Sequence, residues 1–316
     1  MEITNVAVIG GSGFVGRHVC HRLAGEGYRV RVATRDRERA KDKLIFLPTV
    51  EAESVNPGDP QQLAAFIRGA DAVINLVGVL HERGGAGSFK AAHVELARNV
   101  VAACRETGVR RLLHMSALRA DPNGPSRYLR SKGEAEAVVR DSGLAWTVFR
   151  PSVVFGQGDN FLNLFAGLLR FAPVVFLACP NARFQPVFVE DVAAAFTKSL
   201  QNIETVGKSY DLCGPKVYSL RELVEYVGAV TGRPRPVVGL SDKLSYWQAF
   251  AMEMLPVKMM TRDNYHSMRV DSVCDCAFPL GIEPTALESV APAFLALRTP
   301  RRRYQSMRAR ARRSER

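Results

Sequence analysis

The run Val6-Ala7-Val8-Ile9-Gly10, followed at once by Gly11-Ser12-Gly13-Phe14-Val15-Gly16-Arg17, constrains this chain more than any other stretch. The short apolar run predicts a strand. Val15, Val19 and Leu23 then recur at i, i+4 and i+8, the spacing of one apolar helix stripe, until Gly25 and Gly27 end it. Val30 to Thr34 reads as a second apolar strand, so the order is strand, glycine turn, helix, strand, a βαβ unit. Glycines at 10, 13 and 16, with Gly11 overlaid, fall where the strand hands over to the helix. Residues without Cβ let backbone amides approach a pyrophosphate at the positive end of a helix. The turn therefore predicts a dinucleotide site, with Gly10, Gly11, Ser12, Gly13, Phe14, Val15, Gly16 and Arg17 around the phosphates.

The end of the second strand selects between cofactors. A carboxylate there would accept hydrogen bonds from the adenosine ribose, but Thr34 and Arg35 occupy it, and a guanidinium fork suits a 2′-phosphate. Arg17 offers a second cation, while Asp36 argues the other way. NADP(H) is the preferred cofactor on this reading, with NAD(H) the alternative. Apolar strands continue to alternate with helical stretches: Ala70 to Leu80, Phe89 to Thr107, Val109 to Leu118. The fold class is α/β, a Rossmann-type doubly wound parallel sheet with a smaller C-terminal α/β region. Ligands bind at the carboxyl ends of such strands, which puts Leu76, Val77, Gly78, Met115 and Ser116 beside the cofactor. Downstream, Ser126 to Glu136 holds Tyr128 and Lys132 four positions apart on one helix face.

The glycine turn, Asp59 ahead of Gln61-Gln62-Leu63, the "INLVG" run, Tyr128-x-x-x-Lys132, "FRPSVVFGQGDN" and "FQPVFVEDVA" together resemble the short-chain dehydrogenase/reductase superfamily in its extended and atypical branch. "SRYLRSK", "RPS" followed by "FG" and "DNFLN", "QPVFVEDV" and the late "TRDN" are similar to the nucleotide-binding accessory-subunit family of respiratory complex I. The resemblance implies that Lys132 lowers the Tyr128 pKa and anchors the nicotinamide ribose, and that Tyr128 acts as acid or base on a substrate oxygen. It implies too that Arg150, Pro151, Ser152 and Val153 lie at the nicotinamide end, and that Asn56 replaces the usual aspartate near the adenine. Ser116 completes the candidate catalytic set. The sequence departs from the superfamily where a catalytic hydroxyl is usual, about two residues beyond Ser116, a position held by Leu118. Ser116 and Tyr128 also stand only 12 positions apart, a shorter interval than in typical extended members.

Residues 1–297 are expected to form one extended Rossmann-fold NAD(P)-binding domain, with the smaller substrate-type region drawn mainly from 157–185 and 214–297. Ser219 with Glu222 three residues on predicts a capping box. Glu190 and Asp191 are expected at a helix start, where their charge complements the dipole. Tyr246, Trp247, Phe250 and Met254 read as one apolar helical face, either core, a lid over the cleft, or a partner or membrane face. The six histidines show no ligand spacing and read as structural; Cys274 and Cys276 are the one close cysteine pair and lack the four ligands of a structural zinc site, so no metal is expected. With no secretory segment ahead of Val6, a reducing, cytoplasmic compartment is the simpler reading.

Of the net charge of +12, the segment 298–316 carries +8, with nine arginines against Glu315, which leaves +4 on the rest. This tail is expected to be disordered and to bind an anionic membrane surface, which would hold the protein peripherally on the inner face of the cytoplasmic membrane. No aromatic stacking platform accompanies the arginines, which argues against nucleic acid. The expected function is that of an NADP(H)-binding accessory or assembly protein of a respiratory complex or quinone-linked system, with a protein partner there or in quinone biosynthesis. The alternative is an active NADP-dependent oxidoreductase, isomerase or epimerase acting on a quinone-precursor, isoprenoid or sugar-like substrate through Tyr128 and Lys132.

Overall fold

In chain order the elements are β1 (Asn5–Ile9), α1 (Phe14–Gly25), β2 (Arg29–Thr34), β3 (Val50–Ser54), α2 (Pro60–Ile67), β4 (Ala72–Asn75), then a π-helical turn Lys90–Glu95 leading into α3 (Leu96–Thr107). There follow β5 (Arg111–Met115), α4 (Arg127–Arg140), β6 (Ala145–Pro151), α5 (Phe161–Phe171), α6 (Val189–Leu200), β7 (Lys208–Leu212), α7 (Leu220–Val230), α8 (Asp242–Glu253), α9 (Arg262–Ser267) and α10 (Leu287–Leu295). This computed structural model describes residues 3–38, 48–82, 87–255 and 259–296, so the arginine tail lies outside the described residues.

The seven strands form one parallel sheet in the order β7-β6-β5-β4-β1-β2-β3. The chain runs outward from β1 through β2 to β3, then returns to place β4 on the other flank of β1. The carboxyl ends of β1 and β4 therefore border the crevice where a doubly wound sheet takes its ligand. Successive side chains of β1 point to opposite faces. Val6 and Val8 pack with Val19 and Leu23 of α1 and Val192 and Phe196 of α6. Ala7 and Ile9 pack with Leu63 and Ile67 of α2, Val100 and Cys104 of α3, and Val139 of α4. Both faces are covered, which is why these strands read as nearly continuous apolar runs.

A smaller core gathers Phe155, Leu162, Leu169, Leu223, Val227 and Leu295. Ser219 and Glu222 close the expected capping box at the start of α7. Glu190 and Asp191 sit in the first turn of α6 as expected. Glu190 accepts from the His18 ring at 2.6 Å, and Asp191 accepts from the Thr285 amide and hydroxyl at 2.7 and 3.0 Å.

Two readings of the second half change. Cys274 is bonded to Cys213, with a Cα separation of 6.4 Å, and Cys276 is free. Their 61-residue separation hides a proximity that Gln185 sets up: its side chain accepts from the Cys274 amide at 3.0 Å and donates to the Gly214 carbonyl at 2.7 Å. The aromatic stripe of α8 also divides. Tyr246 meets Tyr265 of α9 at 5.5 Å between ring centroids, and Phe250 lies under the Arg262 guanidinium at 5.1 Å. Trp247 and Met254 remain 62% and 76% exposed, so they belong to a different face from Tyr246.

Candidate dinucleotide site

The turn after β1 is closed by the Gly13 amide donating to the Gly10 carbonyl at 3.0 Å, with Gly10 in the left-handed region at φ 86°. Gly16 faces this turn so closely that a Cβ there would drive into the Gly10 carbonyl oxygen and stand 2.6 Å from the Gly11 Cα. A Cβ at Gly11 would meet Val32 at 2.8 Å and the Cys20 sulfur at 3.0 Å. Gly11 and Gly16 thus pull α1 against the sheet, while the turn offers its amides to the crevice. Val15 is buried beneath and Ser12 lies in the turn. Phe14 presents its ring to His18 at 5.7 Å and carries the Arg17 guanidinium above it at 5.5 Å. Arg17 donates to the Gln157 carbonyl, so its side chain is directed to the 157–158 loop.

At the end of β2 the Thr34 hydroxyl accepts from the Asp36 amide at 3.2 Å, a local turn that leaves Arg35 exposed. Asn56 lies beyond β3, where its side-chain oxygen accepts from the Gly58 amide at 3.1 Å. Between β4 and β5 the site is built around Lys132, which is 2% exposed. Its Nζ donates to the Met115 carbonyl at 3.2 Å and more weakly to the Val77 carbonyl at 3.4 Å, tying two strand ends together. A Cβ at Gly78 would stand 3.0 Å from Nζ, so the absence of a side chain there is what admits the lysine. Burial pulls the Lys132 pKa down to about 8. Leu76 is buried alongside.

Tyr128 lies on the same helix face, its ring edge-on to Phe89 at 5.9 Å and to His93 at 5.7 Å. Burial pushes its pKa up to about 12, against the depression that the resemblance implies. The phenol therefore holds its proton at neutral pH. Two backbone amides at the start of α4, those of Arg127 and Tyr128, donate to the Asp263 carboxylate at 2.7 and 3.1 Å, which locks α9 onto this helix end.

Two histidines expected to be structural stand at the site. The Val79 amide donates to His93 Nε2 at 3.1 Å, which leaves Nδ1 to carry the ring proton toward Ser131 Oγ at 2.8 Å. Ser131 in turn donates to the Tyr128 carbonyl at 2.8 Å. His93 thereby links the 77–79 loop to the Tyr128 helix, and burial first, then Lys132, keeps it neutral by pulling its pKa far down. His114, in β5, is pulled down to about 3 for the same reasons. A polar side chain in the middle of each apolar stripe was the available signal for both.

Ser116 is 2% exposed and its hydroxyl has no protein partner, while Leu118 beyond it is buried and apolar. The rest of the sequence-derived set is less convergent. Arg150 is engaged by Glu136 of α4, donating through Nε at 2.9 Å, with Asp211 of β7 at 3.6 Å. Pro151 pairs with Leu212 across to β7, and the Ser152 hydroxyl donates to the Ser272 carbonyl at 2.8 Å. Val153 packs against the small core. Ser152 and Val153 tie the sheet to the smaller region.

A cradle that Cβ atoms would fill at Gly11 and Gly16, a lysine admitted by Gly78 and an unpartnered buried hydroxyl at Ser116 fit a dinucleotide. A family model for NAD(P)H-binding proteins matches residues 10–160. The mouse (Mus musculus) NADH dehydrogenase (ubiquinone) 1 alpha subcomplex subunit 9, mitochondrial, is 30% identical over 294 residues, which cover 89% of this chain and 77% of the relative. The chain belongs to this NAD(P)H-binding family. A ceramide reductase of Caulobacter vibrioides is 33% identical over 193 residues, 60% of this chain and 58% of the relative. A nucleoside-diphosphate-sugar epimerase of Staphylococcus aureus shares the fold with a TM-score of 0.73 at 18% identity, covering 90% of this chain and 99% of the epimerase. Among the described residues of this family member, no helix is long and apolar enough to cross a membrane.

Proposed function

We propose that this chain is an NADPH-holding accessory or assembly protein of a respiratory, quinone-linked complex, in which the cofactor stabilises the fold and turnover is minor. The observation that carries this reading is Leu118, buried and apolar where a substrate-orienting hydroxyl is usual. The relation to a subunit of NADH dehydrogenase supports the respiratory partner. A bound nicotinamide would supply hydride chemistry. The glycine turn holds the pyrophosphate, Lys132 anchors the ribose, Ser116 offers a hydrogen bond from the end of β5, and Tyr128 keeps a proton at its phenol oxygen. The arginine tail of 298–316 places the protein on an anionic membrane surface, each basic residue near the surface contributing about 1 kcal/mol.

A second reading has a specific observation in its favour: Tyr128 and Lys132 are both present, and a reductase is among the relatives. An NADP-dependent oxidoreductase, isomerase or epimerase would use the phenol as acid toward a substrate oxygen. Tyr128→Phe separates the readings. Under the accessory reading it leaves NADPH affinity and complex association unchanged. Under the enzymatic one it removes about 10² to 10⁴ of the rate on any substrate found. A substrate that reacts in the parent and loses this much in the variant sinks the accessory reading.

NADPH is preferred over NADH in this account because Arg35 is exposed at the end of β2, where a 2′-phosphate would lie, and no carboxylate competes at Thr34. A charge-assisted hydrogen bond of this kind contributes about 1.5 to 3 kcal/mol, roughly ten- to a hundredfold in affinity. Arg35→Ala should erase the preference while NADH binding persists, as read by fluorescence titration of both cofactors. Equal affinities in the parent would end the argument for NADPH.

A further inference from the structure

The exposed apolar side chains of the smaller region are not scattered. Phe176 and Val238 are register partners in the short parallel pair Val175–Leu177 and Val237–Gly239, and they are 60% and 44% exposed. Val174, two positions before Phe176, is 37% exposed, and Phe171 at the end of α5 is 80% exposed. Helix α8 is fastened to this strand pair by Gln248, which donates to the Phe176 carbonyl at 2.8 Å, and by Ser245, which accepts from the Cys179 amide at 3.1 Å. Its outer stripe then continues the patch with Leu244, Trp247 and Met254, which are 55%, 62% and 76% exposed. Soluble proteins seldom leave so many large apolar side chains together in water unless the patch binds something.

Charge identifies the occupant. Exposed basic residues border the patch: Arg170, whose guanidinium lies over the Phe171 ring at 5.3 Å, Arg235 in the loop before Val237, and Lys243 at the start of α8. The acidic groups of α8 are turned away from it. Asp242 accepts from the Tyr265 hydroxyl at 2.8 Å, and Glu253 pairs with Arg262 at 2.9 Å. The segments Phe161–Pro180 and Ala229–Ser241 contain no Asp or Glu. An aromatic and aliphatic patch bordered by Arg170, Arg235 and Lys243, its nearby Glu225 paired at 3.9 Å with the Arg221 guanidinium that donates to the Val237 carbonyl, matches the interface of an anionic bilayer, where rings enter the headgroup boundary and cations meet lipid phosphates.

We infer that the face formed by Phe171, Phe176, Val238, Leu244, Trp247 and Met254 docks on an anionic lipid surface. This extends the membrane placement proposed above but is separable from it, because that placement rests on the tail. Two weak signals, an apolar insertion and a polybasic segment, together make a stable anchor.

The chain has two tryptophans, so Trp146→Phe leaves Trp247 as the sole reporter. With vesicles of phosphatidylcholine containing phosphatidylglycerol, Trp247 emission should shift to the blue and be quenched by lipids brominated high in the acyl chain. Phosphatidylcholine alone should give neither effect. Leu244→Glu with Phe176→Glu, both at exposed positions, should weaken vesicle binding at least about tenfold and leave NADPH binding intact. A chain ending at Leu297 should bind less tightly yet keep the blue shift. If the full chain floats with anionic vesicles while Trp247 emission does not move, the tail is the anchor and this face is not. If vesicles have no effect and the double variant instead converts a dimer to a monomer, the face belongs to a second copy and the inference falls.

Discussion

Gly16→Ala should lower NADPH affinity at least about a hundredfold and lower the thermal midpoint of the cofactor-free protein by a few degrees. The added Cβ meets backbone, not the end of a flexible side chain: the Gly10 carbonyl oxygen, the Gly11 Cα at 2.6 Å and the Gly11 carbonyl carbon at 2.7 Å. Relief requires the turn to open. Overpacking of this kind costs about 1 to 3 kcal/mol. Opening also moves the amides away from the phosphates, and every 1.4 kcal/mol lost there is about tenfold in affinity. Gly25→Ala, near the end of the same helix, is the matched control. A Cβ at Gly25 meets nothing within 4 Å, so this change should be neutral or stabilise by about 0.4 to 1 kcal/mol through the unfolded chain. Calorimetric titration and thermal melts of both variants check the pair. Equal losses from both would mean that the turn plays no special part.

The second large effect concerns Lys132. Burial holds its pKa at about 8, below the ordinary value of 10.5. Below pH 8 both the folded and the unfolded chain carry the proton, and the folded state bears the whole penalty of a buried cation, about 3 kcal/mol. Between pH 8 and 10.5 the folded chain has released this proton while the unfolded chain keeps it, so stability rises with pH across that window. Lys132→Met lacks the titrating group. The stability of the parent minus that of the variant should therefore climb by up to about 3 kcal/mol from pH 8 to 10.5, and Tyr128, present in both, cancels. The same variant should bind NADPH about ten- to a hundredfold more weakly, since it loses the charged hydrogen-bond donors proposed to hold the ribose. A difference in stability that stays flat with pH contradicts the assignment of Lys132 as a buried cation.

The parts of this molecule legible in its sequence are those governed by local physics. The βαβ unit at Val6 to Thr34 announces itself because strand alternation, the helix stripe of Val15, Val19 and Leu23 and the glycine requirement all act within a few residues. The capping box at Ser219 and the acidic start of α6 are local for the same reason. What escaped depends on partners far along the chain. His93 becomes part of the site through Ser131, 38 positions on, and through Val79. Arg150 reads as a cofactor residue from its motif, yet Glu136 and Asp211 engage its guanidinium. Tyr246 and Trp247 are neighbours in sequence but about 100° apart around α8, and only the position of α9 decides that the first is covered and the second exposed. The Tyr128 ring runs the same way: Phe89 and His93 pack edge-on against it, and the spacing to Lys132 alone gives no sign of either contact.

The central claim is that the crevice between β1 and β4 holds one dinucleotide, and that this dinucleotide is NADPH. Native mass spectrometry of the full chain in an equimolar mixture of NADPH and NADH tests it most directly. One NADPH per chain, little bound NADH and loss of the bound species in Gly16→Ala are expected. A spectrum showing the chain without dinucleotide, or the two cofactors bound equally, or an undiminished complex in Gly16→Ala, would contradict it.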